Sequence, residues 1–129
     1  MANTVRSRKQ KGYRFQKAVA TRIQEKFNLE ERDAVSAPSS CTGVDVILSE
    51  RAKKVFPFSI ECKNQESISI WKCLEQMENN EVPNTFGLLA FKRNRSKPYV
   101  CMSADSFWAM IDFYKQLGYI EGRNQQETI

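Results

Sequence analysis

The chain of 129 residues contains no histidine. That removes the commonest general base, the histidine-centred catalytic triads and the usual nitrogen ligand of zinc. Its four cysteines, Cys41, Cys62, Cys73 and Cys101, are scattered without a CxxC pair. This is the usage of reduced thiols, not of a disulfide scaffold or a zinc ribbon. No apolar run approaches the roughly 20 residues of a bilayer-spanning helix. The N-terminus lacks the apolar core of a secretory signal. The expected setting is therefore cytoplasmic, with no membrane partner. Any hydrolytic chemistry must run on carboxylates, lysine and metal.

Acidic residues are missing from one stretch in particular. Residues 1–24 hold seven basic side chains, Arg6, Arg8, Lys9, Lys11, Arg14, Lys17 and Arg22, and no acid. A second basic cluster, Lys92, Arg93, Arg95 and Lys97, falls in an expected turn. The net charge is +5, and two separate basic segments point to a polyanion, because neutralised phosphates release counterions. The length suits one domain with one core, 1–129. Residues 1–10 read as a flexible basic tail and 121–129 as a polar C-terminal tail.

Apolar spacing at Phe15, Ala18, Val19, Ile23 and Phe27 predicts a helix from Gly12 to about Asn28. A short strand is expected near Arg32–Val35, then turn chemistry over 36–43. A strand over 43–49, a polar turn over 50–54 and a strand over 55–63 predict an antiparallel hairpin. Ser69 is an expected N-cap for a helix with Ile70, Leu74 and Met77 inside and Gln76 off that stripe. Strands over 85–91 and 99–102 make a second hairpin across the basic turn. A final helix from Ala104 or Asp105 carries Phe107, Met110, Ile111, Tyr114 and Leu117 on one side. The order predicts an α/β sandwich around one mixed sheet.

The strand ending in Glu61-Cys62-Lys63 carries the chemistry. Residues two apart on a strand share a face, so Ser59, Glu61 and Lys63 point one way and Phe58, Ile60 and Cys62 the other. A Glu and a Lys among buried-strand neighbours are unfavourable unless paired or bound to a ligand. The expected hairpin brings Asp45 toward Glu61. Two carboxylates and one lysine are the minimum equipment for holding a hard divalent cation beside a phosphodiester.

On these residues the chain resembles the PD-(D/E)xK nuclease superfamily, which has Asp on one core strand and Glu/Asp-x-Lys on the next. More narrowly it is similar to the Holliday-junction resolvases of archaea and their viral relatives, and to small phage-encoded nucleases. Lys11-Gly-Tyr-Arg-Phe-Gln16 matches their first-helix motif, Ser36–Gly43 their Ser- and Gly-rich loop, and Ile60-Glu-Cys-Lys63 their second motif strand. The resemblance implies a restriction-endonuclease-like fold, a central mixed sheet flanked by helices. It implies catalytic roles for Asp45, Glu61, Lys63, Gln76 and Gln16, the last standing where the family has a carboxylate. It implies Mg²⁺, with Mn²⁺ as a substitute, held by Asp45, Glu61 and the Cys62 main-chain carbonyl. Candidate DNA contacts are Arg6, Arg8, Lys9, Lys11, Arg14, Ser39, Ser40, Asn64, Lys92, Arg93, Arg95 and Lys97.

The expected function is a metal-dependent DNA endonuclease that resolves four-way junctions as a homodimer, with Trp108 and Phe113 as candidate interface residues. The alternatives are a general phage-type nuclease for other branched, nicked or foreign DNA, or a non-catalytic DNA-binding module of the same fold.

Overall fold

Thr4 opens the first helix by accepting the Ser7 N–H on its side-chain oxygen at 3.0 Å, as a cap does. The computed structural model describes residues 4–38 and 43–119. Ser39, Ser40, Cys41 and the polar segment 121–129 lie outside the described residues. Helix α1 runs Val5–Phe27. It starts seven residues before Gly12, so the basic segment expected as a flexible tail is helical from Val5 onward. Its inward face is Phe15, Val19, Ala20, Ile23 and Phe27. Ala18, placed on that face by spacing, is exposed, and Ala20 is buried in its stead.

After α1 come β1 (Ala34–Ser36), β2 (Val46–Leu48), α2 (Glu50–Val55), β3 (Phe58–Asn64), α3 (Ile70–Asn79), β4 (Phe86–Lys92), β5 (Tyr99–Cys101) and α4 (Ala104–Gln116). The sheet has five strands in the order β1-β2-β3-β4-β5. The β3–β4 pair is parallel and the other three pairs are antiparallel. The mixed sheet with flanking helices is the restriction-endonuclease-like α/β arrangement expected.

The expected polar turn over 50–54 is instead helix α2. Ser49 accepts the Ala52 N–H at 3.0 Å, Glu50 sits in the first turn, and Lys53 and Lys54 sit in the last. Those charges complement the helix dipole, which lets so short a helix form. β2 and β3 still pair antiparallel, though through the single register Val46↔Ile60. Strand β3 begins at Phe58, not Val55, because α2 continues through Val55.

The sheet is covered on both faces. Phe58, Ile60, Cys62, Val46 and Ala90 face α1, with Met110 and Tyr114 of α4 packed at the same core. Cys73 and Met77 of α3 pack on Leu89 from the other side. The Tyr114 hydroxyl donates to the Val55 carbonyl at 2.7 Å and ties α4 to the end of α2. Helix α4 has no fully buried residue. Of its predicted inward stripe, Phe107 and Leu117 are exposed. Phe113 packs edge-on against Phe86, whereas Trp108 is 63% exposed.

Candidate active site

Two-sided burial makes β3 an unusual place for charge. Residues Phe58 to Cys62 are all buried, and Glu61 is 3% exposed. The alternation expected from sequence holds: Phe58, Ile60 and Cys62 join the α1-side core. Ser59, Glu61 and Lys63 therefore point to the α3 side.

Asp45 lies one residue before β2 yet is fastened to β3. Its N–H donates to the Ile60 carbonyl at 2.9 Å, and its Oδ2 accepts the Cys62 N–H at 2.7 Å. Its neighbour Val46 faces α1, so alternation turns Asp45 toward the face of Glu61. Lys63 Nζ stands 3.8 Å from Glu61 Oε2. The three residues picked from sequence are thus brought together where β2 and β3 part.

The electrostatics have a clear sign. Burial pushes the Asp45 carboxyl above its ordinary value, opposed by the Cys62 N–H and by Lys63. Burial pushes Glu61 up as well, and the charge of Asp45 adds to it; Lys63 and Asn80 pull it back down. The Cys62 thiol is driven up by burial and then by both carboxylates, so it remains protonated. Buried Glu61 and half-buried Asp45 are thus acids whose ionised forms a neighbouring positive charge would favour.

The donor set fits a hard divalent ion. Among the described residues, no group of three or more His, Cys, Asp or Glu side chains is placed to hold a metal. The centre offers two carboxylates and main-chain oxygen. On a strand the N–H and C=O of one residue leave by the same edge. Since the Cys62 N–H goes to Asp45, the Cys62 carbonyl leaves on that side too, beyond the last β2–β3 register pair. Mg²⁺ keeps several waters and needs only one or two carboxylates from a protein.

The amides fall elsewhere than expected. Gln16 Oε1 accepts from the Ser36 hydroxyl at 3.0 Å. Ser36 pairs with Val46, so this bond lies on the α1 side of the sheet, opposite the carboxylates. Gln76 is exposed on α3. The α3 amide that reaches the site is Asn80, one turn later, whose Nδ2 is 3.4 Å from Glu61 Oε1. The signal for it was available, since Asn80 follows Gln76 by one helical turn on the same flank. What fixed the choice is the end of α3. Val82 N–H donates to Ser59 Oγ at 2.8 Å, and Glu81 Oε1 accepts from Gly87 N–H at 2.8 Å. Those bonds bring the helix exit down onto β3 and β4.

The two basic segments meet around the end of β3. Arg8, Lys9 and Lys11 of α1 share a cleft of about 570 Å³ with Lys63 and Asn64. Lys11 and Arg14 share a second, of about 460 Å³, with Asn64, Lys92 and Arg95. Arg93 lines a third with Gln65 and Tyr99. Lys97 lies 5.8 Å over the Tyr99 ring. Arg6 is exposed on the first turn of α1. That turn has no acid, so the positive end of the helix dipole adds to the same field. Asn64 sits at the junction: its Nδ2 donates to the Lys11 carbonyl at 3.5 Å, while its buried Oδ1 has no partner among the described residues.

A family model described as "Phage putative PDDEXK endonuclease" matches residues 7–128. The chain belongs to that family. Membership makes it a nuclease of the PD-(D/E)xK superfamily with DNA as its substrate class, and such nucleases generally depend on a divalent metal. No curated protein and no solved structure matches the chain. Among the described residues no helix is long and apolar enough to cross a membrane.

Proposed function

We propose that the chain is a divalent-metal-dependent DNA endonuclease whose centre is Asp45, Glu61 and Lys63. The observation that carries this reading is the convergence of a buried and a half-buried carboxylate, both with raised pKa, and a lysine at the mouth of a basic trough. Asp45, Glu61 and the Cys62 carbonyl would hold Mg²⁺ or Mn²⁺. The chemistry such a cation would supply is polarisation of the scissile phosphate and acidification of a neighbouring water. Lys63, partly exposed beside Glu61, orients the attacking water or stabilises the charge that grows on the phosphate. Asn80 and Lys63 hold the two oxygens of Glu61. The trough from α1 to the β4–β5 turn positions the DNA backbone.

Within this chemistry, four-way-junction resolution by a homodimer is the finer reading. It rests on the sequence resemblance to junction resolvases and on the need of paired symmetric nicks for two active sites in one particle. The exposed Trp108 on the sparsely buried helix α4 supports an interface there.

The test is incubation of the full chain with labelled four-way junction, fork and linear duplex, with Mg²⁺ and with chelator. Paired nicks on the junction, lost with chelator, are expected. Cutting of all three substrates alike would replace resolution by general nuclease activity. Binding without metal-dependent cutting would leave a DNA-binding module.

A further inference from the structure

Glu66 is the one carboxylate, among the described residues, lining the clefts that make up the basic trough. It follows the motif lysine by three residues. In one cleft its neighbours include Arg8, Lys9 and Lys11, and in another Lys92 and Arg93. A negative charge there opposes DNA, so its retention calls for a physical reason.

The carboxylate is engaged with main chain. Glu66 Oε2 accepts the Asn94 N–H at 2.6 Å. Asn94 is the first central residue of the turn that Ser96 N–H closes on the Arg93 carbonyl at 3.2 Å. The second central residue, Arg95, is left-handed, with φ 62°. A turn fastener is not needed at this point. Ser96 Oγ already accepts the Arg93 N–H at 3.1 Å, and the turn's root is held by Gln65 N–H donating to the Lys92 carbonyl at 3.1 Å. What remains is a main-chain N–H flanked by basic side chains, with an anionic oxygen on it. Main-chain N–H groups backed by Lys and Arg are how proteins hold backbone phosphates.

We propose that the Asn94 N–H is a seat for a phosphate of the DNA backbone, and that Glu66 fills it in the free protein as a stand-in that DNA displaces. The proposal rests on the reading of the trough as the DNA interface. A strand that spans the trough gains the seat and expels the carboxylate. A strand that touches only part of it meets the repulsion without the gain. The contact thereby favours substrates long enough to reach from Lys63 to the β4–β5 turn.

The experiment measures DNA binding by the full chain in chelator, across a salt series. It compares wild type with Glu66→Gln, Glu66→Ala and Glu78→Gln, the last an exposed acid of α3 outside the trough that controls for net charge. Both Glu66 variants should bind about threefold to tenfold tighter, with a salt slope steeper by about one, and should exceed the Glu78 control. In ¹⁵N spectra the Asn94 amide should shift with DNA, and with inorganic phosphate at lower concentration in Glu66→Ala than in wild type. Weaker binding by Glu66→Ala would make the residue a structural strap and overturn the proposal. So would equality of Glu66→Gln with the Glu78 control, or an Asn94 amide indifferent to DNA. Arg93→Ala with Arg95→Ala separates the two levels. Unchanged affinity there would remove the trough reading itself, while lost affinity with inert Glu66 variants would remove the seat alone.

Discussion

Asp33 and the Asp45–Glu61 pair are acids withdrawn from solvent at opposite ends of β2, and their environments have opposite effects. Asp33 is 4% exposed, and its oxygens are served by donors. The Ser49 hydroxyl donates to Oδ1 at 2.7 Å and the Glu30 N–H to Oδ2 at 2.9 Å, with Arg51 at 3.7 Å. Its pKa is lowered, chiefly by Ser49, then by the Glu30 N–H and, more weakly, the arginines. Asp45 and Glu61 are raised, because burial outweighs the donors they have. The first acid is completed by the protein and fastens the end of α1 to the β2–α2 turn. The second pair is left to be completed from outside. Burial alone does not separate a structural carboxylate from one proposed to be catalytic; the supply of donors does.

The largest effect that tests this contrast is on cleavage. Asp45→Asn or Glu61→Gln should lower metal-dependent cutting by about 10³-fold or more while DNA affinity in chelator stays near wild type, and Lys63→Ala should follow by about 10²-fold. The same two carboxylate variants should melt at a higher temperature than wild type at neutral pH, because each removes a charge whose desolvation outweighs the partners it has. Metal-dependent cutting at the wild-type rate by either would break the assignment.

Asp33→Asn should do the reverse: a lower melting temperature with cleavage per folded molecule retained. The pH dependence separates the two regions by sign. A lowered folded pKa means that the stability due to Asp33 is present above its unfolded pKa and is lost as pH falls through the folded value. Raised folded pKa values mean that ionised Asp45 and Glu61 destabilise the fold at neutral pH, and that this penalty is relieved as pH falls through those values. Melting curves from neutral to acidic pH should therefore show acid destabilisation diminished in Asp33→Asn and acid relief diminished in Asp45→Asn. The smallest effect belongs to Asn80→Ala, a loss of about threefold to tenfold in rate. It should come with an upward shift of the acidic limb of the pH–rate profile, since Asn80 helps to lower Glu61. An unmoved limb would make Asn80 a helix cap only.

The shared face of the proposed site residues on β3 was legible because strand alternation is a local rule. Ser59, Glu61 and Lys63 share a face wherever β3 goes, and a carboxylate in an apolar run advertises itself. The order of elements was legible for the same reason, apart from α2, whose residues 50–54 were read as a polar turn and whose cap Ser49 was read as the end of a strand. The amides were not legible. Gln16 and Gln76 were chosen by alignment to a motif, yet Gln16 faces Ser36 across the other side of the sheet and Asn80 approaches Glu61. Which residue of a helix touches a strand depends on how the helix lands. Here bonds from Ser59 and Gly87 set that landing, 23 and 6 residues from their partners.

By itself the sequence determined which residues are acidic and basic and which face of β3 each of its side chains takes, since period and composition act within a few residues. Tertiary structure alone decided that the two basic segments, some eighty residues apart in the chain, border one trough, and that donors outweigh burial at Asp33 while burial outweighs the donors at Asp45 and Glu61. The physical reason is that a charge's free energy depends on the donors and solvent that surround it, and those come from parts of the chain that only folding brings together.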